Sequence, residues 1–454
     1  MVIDNILGLA AFDTLSAEHE KWILSVFIPP QDFPLLIEHR SFLIIGGRGT
    51  GKTAIRLAME DRITNDPKQT NTMLLNWTPN PSEDNLRGSS LMRFATNQVF
   101  HAFVRGIFST HSKEPARFEK LPAWAEDAIS WLLRSYLPGD PNFYVESRGP
   151  EFGPETTKWA LNLLERPFRE ILPKSAPTTE IIQLILITSE SLGFSNLWVM
   201  VDGLEKLSTF HHAQAEDLLE AMLSTLSLFE EQGFVFKLFI PDSMESTLIQ
   251  TRRIDRRRVH FYPLGWSETE IRKIVQERLS LATGKSQFSL EKLCSDQQFV
   301  NWLFRFGGTN PRIWLSIVTP FVDAYLRAGK SLNKMDWSEI AQKSPPKLRV
   351  DVQTSRVFIG DYELNRLSPN EYRILEYLYL NRHRICTREE IYYRCIQNLD
   401  QEPKPNDPTR LDEPIWRRSF DQALSRLRKV TEPFEDPIYI KTIKGFGIRL
   451  ENYS

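Results

Sequence analysis

Gly46-Gly47-Arg48-Gly49-Thr50-Gly51-Lys52-Thr53 is the stretch on which the fold turns. It fits G-x-x-x-x-G-K-[ST] at every fixed position. Ahead of it, Phe42-Leu43-Ile44-Ile45 is a continuous apolar run that stops at glycine, as a strand buried on both faces does. Behind it, Ala54 to Ile63 reads as a helix. Glycines between a strand and a helix start let backbone N–H groups wrap a phosphate, and the helix N-terminus adds positive potential. Lys52 would then reach the β- and γ-phosphates, and the Thr53 hydroxyl would ligate Mg²⁺.

Further apolar runs follow at Met73 to Trp77, Leu197 to Val201, Phe234 to Ile240 and Val259 to Tyr262, with a helix from His212 to Glu230 between two of them. Strands alternating with helices predict an α/β fold on a parallel sheet. Trp198-Val199-Met200-Val201-Asp202 ends one run on a carboxylate, placed to meet the metal at a strand's C-terminal end. The next position is Gly203, where a second acid would polarise a water; Glu205 is the nearest candidate base, and a solvated loop carboxylate is its competing reading. Before this core, the chain up to about Arg40 reads as helical. A long helical stretch rich in Trp124, Trp131 and Trp159 lies between the second and third runs.

The 454 residues hold 56 Lys+Arg against 58 Asp+Glu, a formal charge of -2. Ordinary globular composition excludes disordered and fibrous classes, and the length predicts about three domains. Three cysteines without metal-ligand spacing favour a reducing cytoplasm. No apolar run nears the roughly 20 residues that span a bilayer, so no membrane partner is expected. The charge balance argues against nucleic acid only if the charge is evenly spread.

It is not. Ser368-Pro369-Asn370-Glu371 and Thr387-Arg388-Glu389-Glu390 are capping boxes that start two short helices. A third helix, Ile415 to Lys429, divides by period: Phe420, Leu424 and Leu427 form its apolar stripe, while Arg418, Gln422, Ser425 and Lys429 line the opposite side with Arg417, Arg426 and Arg428 alongside. One buried face and one face of long donors suits a helix in the major groove of duplex DNA. A strand, a glycine turn and a return strand close the segment, with Lys441 and Lys444 making cationic tips.

Two resemblances carry these readings further. The loop and the Asp202 strand, with Gly307-Gly308-Thr309-Asn310-Pro311-Arg312 late in a helical stretch, resemble the AAA+/STAND branch of P-loop ATPases over about residues 38 to 328. That resemblance implies ATP and Mg²⁺ as cofactors, a helical lid from which Arg312 reads the γ-phosphate, and nucleotide-dependent self-association. The run Arg252 to Arg258 would present an arginine finger; a plain helix break at Arg312 and a solvated basic run are the competing readings. Pro241-Asp242 stands where such ATPases carry a polar sensor, and neither residue type is the usual one. The segment from about Leu348 to Glu451 resembles the OmpR/PhoB-type winged helix through Leu367 to Glu371, Ser425 to Lys429 and Lys441 to Leu450. That implies base reading by the third helix and phosphate or minor-groove contact by Arg428, Lys444 and the wing. Ile448 departs from the usual aromatic, and the loop Gln397 to Pro414 is longer than usual.

The expected organisation is a helical segment at 1–37 and a P-loop core at 38–265, with a helical insertion at about 86–180. A helical lid at 266–330, a linker at 331–346 and a winged helix-turn-helix domain at 347–454 follow. The expected function is an ATP-switched DNA-binding protein, most directly a transcription regulator. The alternatives are a signalling or defence switch whose winged helix holds the ATPase off, or a replication-initiator or mobile-element ATPase. The insertion would meet a protein partner.

Overall fold

The apolar run before Gly46 forms β1 (Ser41–Gly46), all six residues buried, and the run after Gly51 forms α1 (Lys52–Asn65). These belong to a computed structural model that describes residues 8–13, 17, 22–66, 71–79, 89–173, 176–204, 212–224, 232–245, 259–343, 345–352, 354–360, 362–364, 367–404, 407–408, 410–432 and 437–453. The chain divides into two units, Ser16–Gly265 and Met1–Leu15 with Trp266–Ser454.

In the first unit, β2 (Thr72–Trp77) leads to α2 (Ser89–Lys113), α3 (Ala123–Tyr136), α4 (Pro141–Arg148), α5 (Pro154–Glu165) and α6 (Thr178–Ser191). Then come β3 (Asn196–Val201), α7 (His212–Ser224), β4 (Phe234–Pro241) and β5 (Val259–Pro263). The five strands lie in the order β2-β3-β4-β1-β5, every pairing parallel. This is an α/β doubly covered sheet, as continuous apolar strands require. The helices after β2 share one apolar core with the sheet, through Phe103, Ile107, Ile129, Leu132 and Ile185. Before Arg40 the helical reading takes the form of short turns among the described residues, at Ala10–Asp13, Ile23–Val26 and Phe33–Leu36. Pro29 and Pro30 cannot donate helical hydrogen bonds and stop the chain between the second and third of these turns.

One buried charge stands out in the sheet. Lys237 is fully buried in β4. Its Nζ donates to the carbonyls of Leu36 (2.7 Å), Glu38 (2.8 Å) and Arg40 (2.8 Å). It also lies 4.6 and 4.3 Å from the ring centroids of Phe42 and Trp198. Three carbonyl acceptors need three N–H donors, so the ammonium form fits the site, while burial pulls its pKa well down. The clamp fixes the chain just before β1 and therefore the register from which the glycine loop departs.

The second unit holds α8 (Glu268–Thr283), α9 (Gln297–Gly307), α10 (Pro311–Ala328) and α11 (Lys334–Lys343). The last of these corrects the expected linker at 331–346. Trp337 is buried on α11, its indole donates to Asp296 Oδ2 at 2.9 Å, and its ring meets Phe299 and Trp302. Trp337 and Ala341, one turn apart and both buried, dock an otherwise polar helix. The turn Ala10–Asp13 also belongs to this unit: Phe12 is buried, and the Ala11 carbonyl accepts from Arg278 Nη1 at 2.8 Å.

A three-stranded antiparallel sheet, β6 (Leu348–Asp351), β7 (Arg356–Ile359) and β8 (Tyr362–Glu363), opens the C-terminal module. Three helices follow: α12 (Pro369–Leu380), α13 (Arg388–Ile391) and α14 (Glu413–Thr431). The hairpin β9 (Ile440–Ile443) and β10 (Gly447–Leu450) completes a winged helix-turn-helix arrangement. Both capping boxes form, Ser368 with Glu371 and Thr387 with Glu390. A Cβ at Gly447 would sit 2.1 Å from the Cys386 carbonyl oxygen, so the second wing glycine is demanded by the strand that pairs there. The three cysteines are buried thiols. Among the described residues, no helix is long and apolar enough to cross a membrane.

Candidate nucleotide site and nucleic-acid face

The loop between β1 and α1 turns on two left-handed residues, Gly49 (φ +87°) and Gly51 (φ +93°), a conformation that side chains resist. Thr50 closes it by donating from Oγ1 to the Gly47 carbonyl at 2.8 Å. Lys52 is buried and turned back over the loop, its Nζ donating to the carbonyls of Gly46 (2.6 Å) and Gly47 (3.0 Å). The N-cap of α1 is Gly51, which has no side chain to cap with, and the first turn carries no acid. A helix N-terminus, an ammonium and a glycine cradle are the donor set that suits a polyphosphate, so the residues fit the phosphates of a nucleotide. Arg48 is exposed, and Thr53 is half-buried one position into the helix.

Strand order decides which carboxylates can serve the loop. β4 lies between β1 and β3, and Asp202 and Asp242 follow the C-terminal ends of β3 and β4. Asp202 is held from two sides: its Oδ2 accepts from Arg56 Nε at 3.0 Å, and its Oδ1 from the Gly203 N–H at 2.8 Å. Arg56 in turn reaches Glu60 at 2.5 Å. Burial works against the Arg56 charge, but Glu60 and Asp202 outweigh it and leave the guanidinium pKa above its ordinary value. Among the described residues there is no cluster of three or more His, Cys, Asp or Glu side chains able to hold a metal. A site of one hydroxyl and one carboxylate suits Mg²⁺, which keeps much of its water and takes further oxygens from phosphate.

Sequence reading missed Arg56, whose partner is 146 residues away. It also left Asp242 without a role. The Asp242 carboxylate lies 3.0 Å from where a Cβ on Gly47 would stand, so it borders the loop directly. Glu205 and the run Arg252 to Arg258 lie outside the described residues. Arg312 occupies the first turn of α10, where its N–H donates to the N-cap Asn310 at 3.0 Å. The Gly307–Gly308 break beside it is bound into the unit by Trp314, whose indole donates to the Gly308 carbonyl at 3.0 Å.

On α14 the buried stripe is Trp416, Phe420, Leu424, Leu427 and Thr431. Arg417, Arg418, Gln422, Ser425, Arg426 and Lys429 lie on the other side, and the pattern of burial along the helix leaves that side facing solvent. The face is not purely cationic. Arg417 pairs with Glu413 at 2.9 Å, and Asp421, on the same surface, pairs with Arg388 at 3.1 Å. Arg428 departs from the expected DNA contact. Its Nε and Nη2 donate to the Ile440 carbonyl and Nη2 to Thr442 Oγ1, so it braces the hairpin against α14. Its half-buried position lowers its pKa, mainly by desolvation. Lys441 pairs with Glu451 at 2.7 Å. Lys444 is exposed at the wing tip beside Phe446, a ring 71% exposed.

No protein-family model matches the chain, and no curated protein matches its sequence. Among solved structures it is similar to the Aeropyrum pernix Orc1 protein in complex with DNA, with a TM-score of 0.36 and 13% identity over 96% of this chain and 94% of that chain. So low a score does not distinguish a shared fold.

Proposed function

We propose that this chain is an ATP- and Mg²⁺-binding switch that docks on duplex DNA through its winged helix, with control of transcription as its most direct use. The observation that carries the nucleotide half is Lys52, buried at the start of α1 and turned back over the glycine loop. Lys52, which donates to the Gly46 and Gly47 carbonyls, would turn to the phosphates, and the N-terminus of α1 would favour their negative charge. Thr53 and Asp202 would hold Mg²⁺, which would supply positive charge to the polyphosphate. Hydrolysis needs a water-orienting group; Glu205 is the sequence candidate, and Asp242 borders the loop.

The DNA half rests on the exposed donors of α14 and on Lys444, with Gln422 and Ser425 as uncharged base readers and the arginines and lysines on phosphate. Nucleotide-dependent self-association is part of the same reading. The exposed Trp124, Phe143 and Phe168 of the insertion suit a protein partner there.

Binding to a labelled duplex, measured with ATP, with ADP and without nucleotide across a salt series, tests the whole. Expected is a linear fall of log affinity with log salt, with a slope of roughly -4.5 for about five phosphate contacts, and a difference between nucleotide states. A flat salt series would exclude the DNA reading. Unchanged nucleotide affinity in Lys52→Ala would exclude the loop assignment.

A further inference from the structure

Thr53, Arg56 and Glu60 stand at i, i+3 and i+7 on α1, one stripe of a single helix. The first is the candidate metal hydroxyl, the second grips the candidate metal carboxylate, and the third grips the second. The side chains of Arg56, Asp202 and Glu60 are 12%, 13% and 19% exposed, so this chain of charges is largely withdrawn from water. We propose that Arg56 is a positioning residue of the Mg²⁺ site: backed by Glu60, it fixes the Asp202 carboxylate in the orientation that receives the metal. The inference rests on reading the β1–α1 loop as a nucleotide site.

The geometry supports orientation for two reasons. Each Asp202 oxygen accepts one N–H, from Arg56 or from Gly203, and a carboxylate oxygen has a second lone pair to offer. The carboxylate is thus held without being used up, as outer partners hold metal ligands elsewhere. The second reason is charge. A lone guanidinium beside a metal ligand would repel a divalent cation. Glu60 neutralises Arg56, so the triad keeps the single negative charge that Mg²⁺ needs from Asp202. The Gly203 turn, at φ +94°, supplies the other restraint through its backbone N–H, and substitutions at Arg56 or Glu60 leave that donor in place.

The test is equilibrium binding of a fluorescent ATP analogue to full-length protein, once in EDTA and once across a Mg²⁺ titration. The proteins are wild type, Arg56→Met, Arg56→Lys and Glu60→Gln, each first checked by circular dichroism. For Arg56→Met the expected result is unchanged affinity in EDTA and a half-effect Mg²⁺ concentration raised roughly 10- to 100-fold. Arg56→Lys should recover part of the loss, and Glu60→Gln should show a smaller rise. An unchanged Mg²⁺ requirement overturns the proposal. So does a lowered one, which would make Arg56 a competitor of the metal, and so does an equal loss in EDTA, which would make it a structural brace. If Arg56→Met is misfolded, Arg56→Lys and Glu60→Gln decide by the same criteria. Wild-type protein that binds no nucleotide overturns the parent reading and this one with it. Where the wild type binds with Mg²⁺ dependence, the variants report on Arg56 alone.

Discussion

Arg305 of α9 donates from Nη2 to the carbonyl of Val430 at 2.7 Å, and the same nitrogen reaches the Lys429 carbonyl at 3.2 Å. The last carbonyls of a helix have no partner within it, and a cation there also meets the negative end of the helix dipole. A residue of α9 therefore caps the helix that carries the exposed donors. Arg305→Met should leave the Lys429 and Val430 carbonyls without this donor at a cost of about 1–3 kcal/mol. Hydrogen exchange should show faster amides in the last turn of α14, with α1 unaffected. Unchanged exchange at those amides would exclude the cap.

Arg426 and Arg428 separate two roles that neighbouring positions share in sequence. Arg426 is exposed, so Arg426→Ala should weaken duplex binding across all sequences and flatten the salt slope by about 1. Arg428 instead spans from α14 to Ile440 and Thr442. Arg428→Ala should lower the thermal midpoint and loosen the hairpin, with a salt slope close to that of the wild type. A slope change as large as that of Arg426→Ala would return Arg428 to the interface.

Lys237→Met tests the clamp below the glycine loop. The thioether side chain matches the aliphatic stem but leaves the Leu36, Glu38 and Arg40 carbonyls without their donor. At about 1–3 kcal/mol per unpaired buried group, the loss should amount to several kcal/mol and show in denaturant unfolding monitored by tryptophan fluorescence. A variant as stable as the wild type would mean that water or another donor replaces the ammonium.

The insertion should weaken in mild acid. His111 stacks on Trp159 with ring centroids 4.3 Å apart and hydrogen-bonds Thr156 at 3.0 Å; burial lowers its pKa from the ordinary 6.5. His101 is lowered too, by burial first and then by Arg105. A folded pKa below the unfolded one means that the unfolded chain binds more protons. Stability is then fully present above about pH 6.5 and is lost as pH falls toward the folded values. His111→Gln should remove part of this slope in melts taken between about pH 7.5 and 5.5, the range that brackets the ordinary histidine value. An unchanged slope would place the effect elsewhere.

The sheet was legible because its central strands are largely apolar runs bounded by turns, broken by one charge in β4, and the loop because its glycines and lysine occur at fixed spacing. What stayed hidden depends on partners far along the chain. Lys237 sits inside an apolar run, and nothing local shows that residues 36–40 turn their carbonyls toward it. Arg56 reads as an ordinary helical arginine until Asp202 is placed beside it. Trp337 is one aromatic residue in a polar segment, too little periodicity to announce α11, yet it has Phe299 and Trp302 to pack on. Arg428 lies at the boundary between the two faces of α14, where periodicity alone cannot assign a side.

The hydrogen bond from Arg278 to the Ala11 carbonyl joins residues 267 positions apart, so in sequence the second unit brackets the whole of the first. During synthesis, Ala11 and Phe12 emerge long before the helices that bury them. Their docking must wait for the intervening sheet and insertion, and the loop-closure entropy rises only with the logarithm of that separation. If the intervening unit folds first, a compact body replaces a long flexible loop and the closure becomes easier. The order of maturation is thus written into the connectivity. The unit that carries the glycine loop is one uninterrupted stretch of chain, while the unit that carries α14 is complete only when both of its separated pieces have been made.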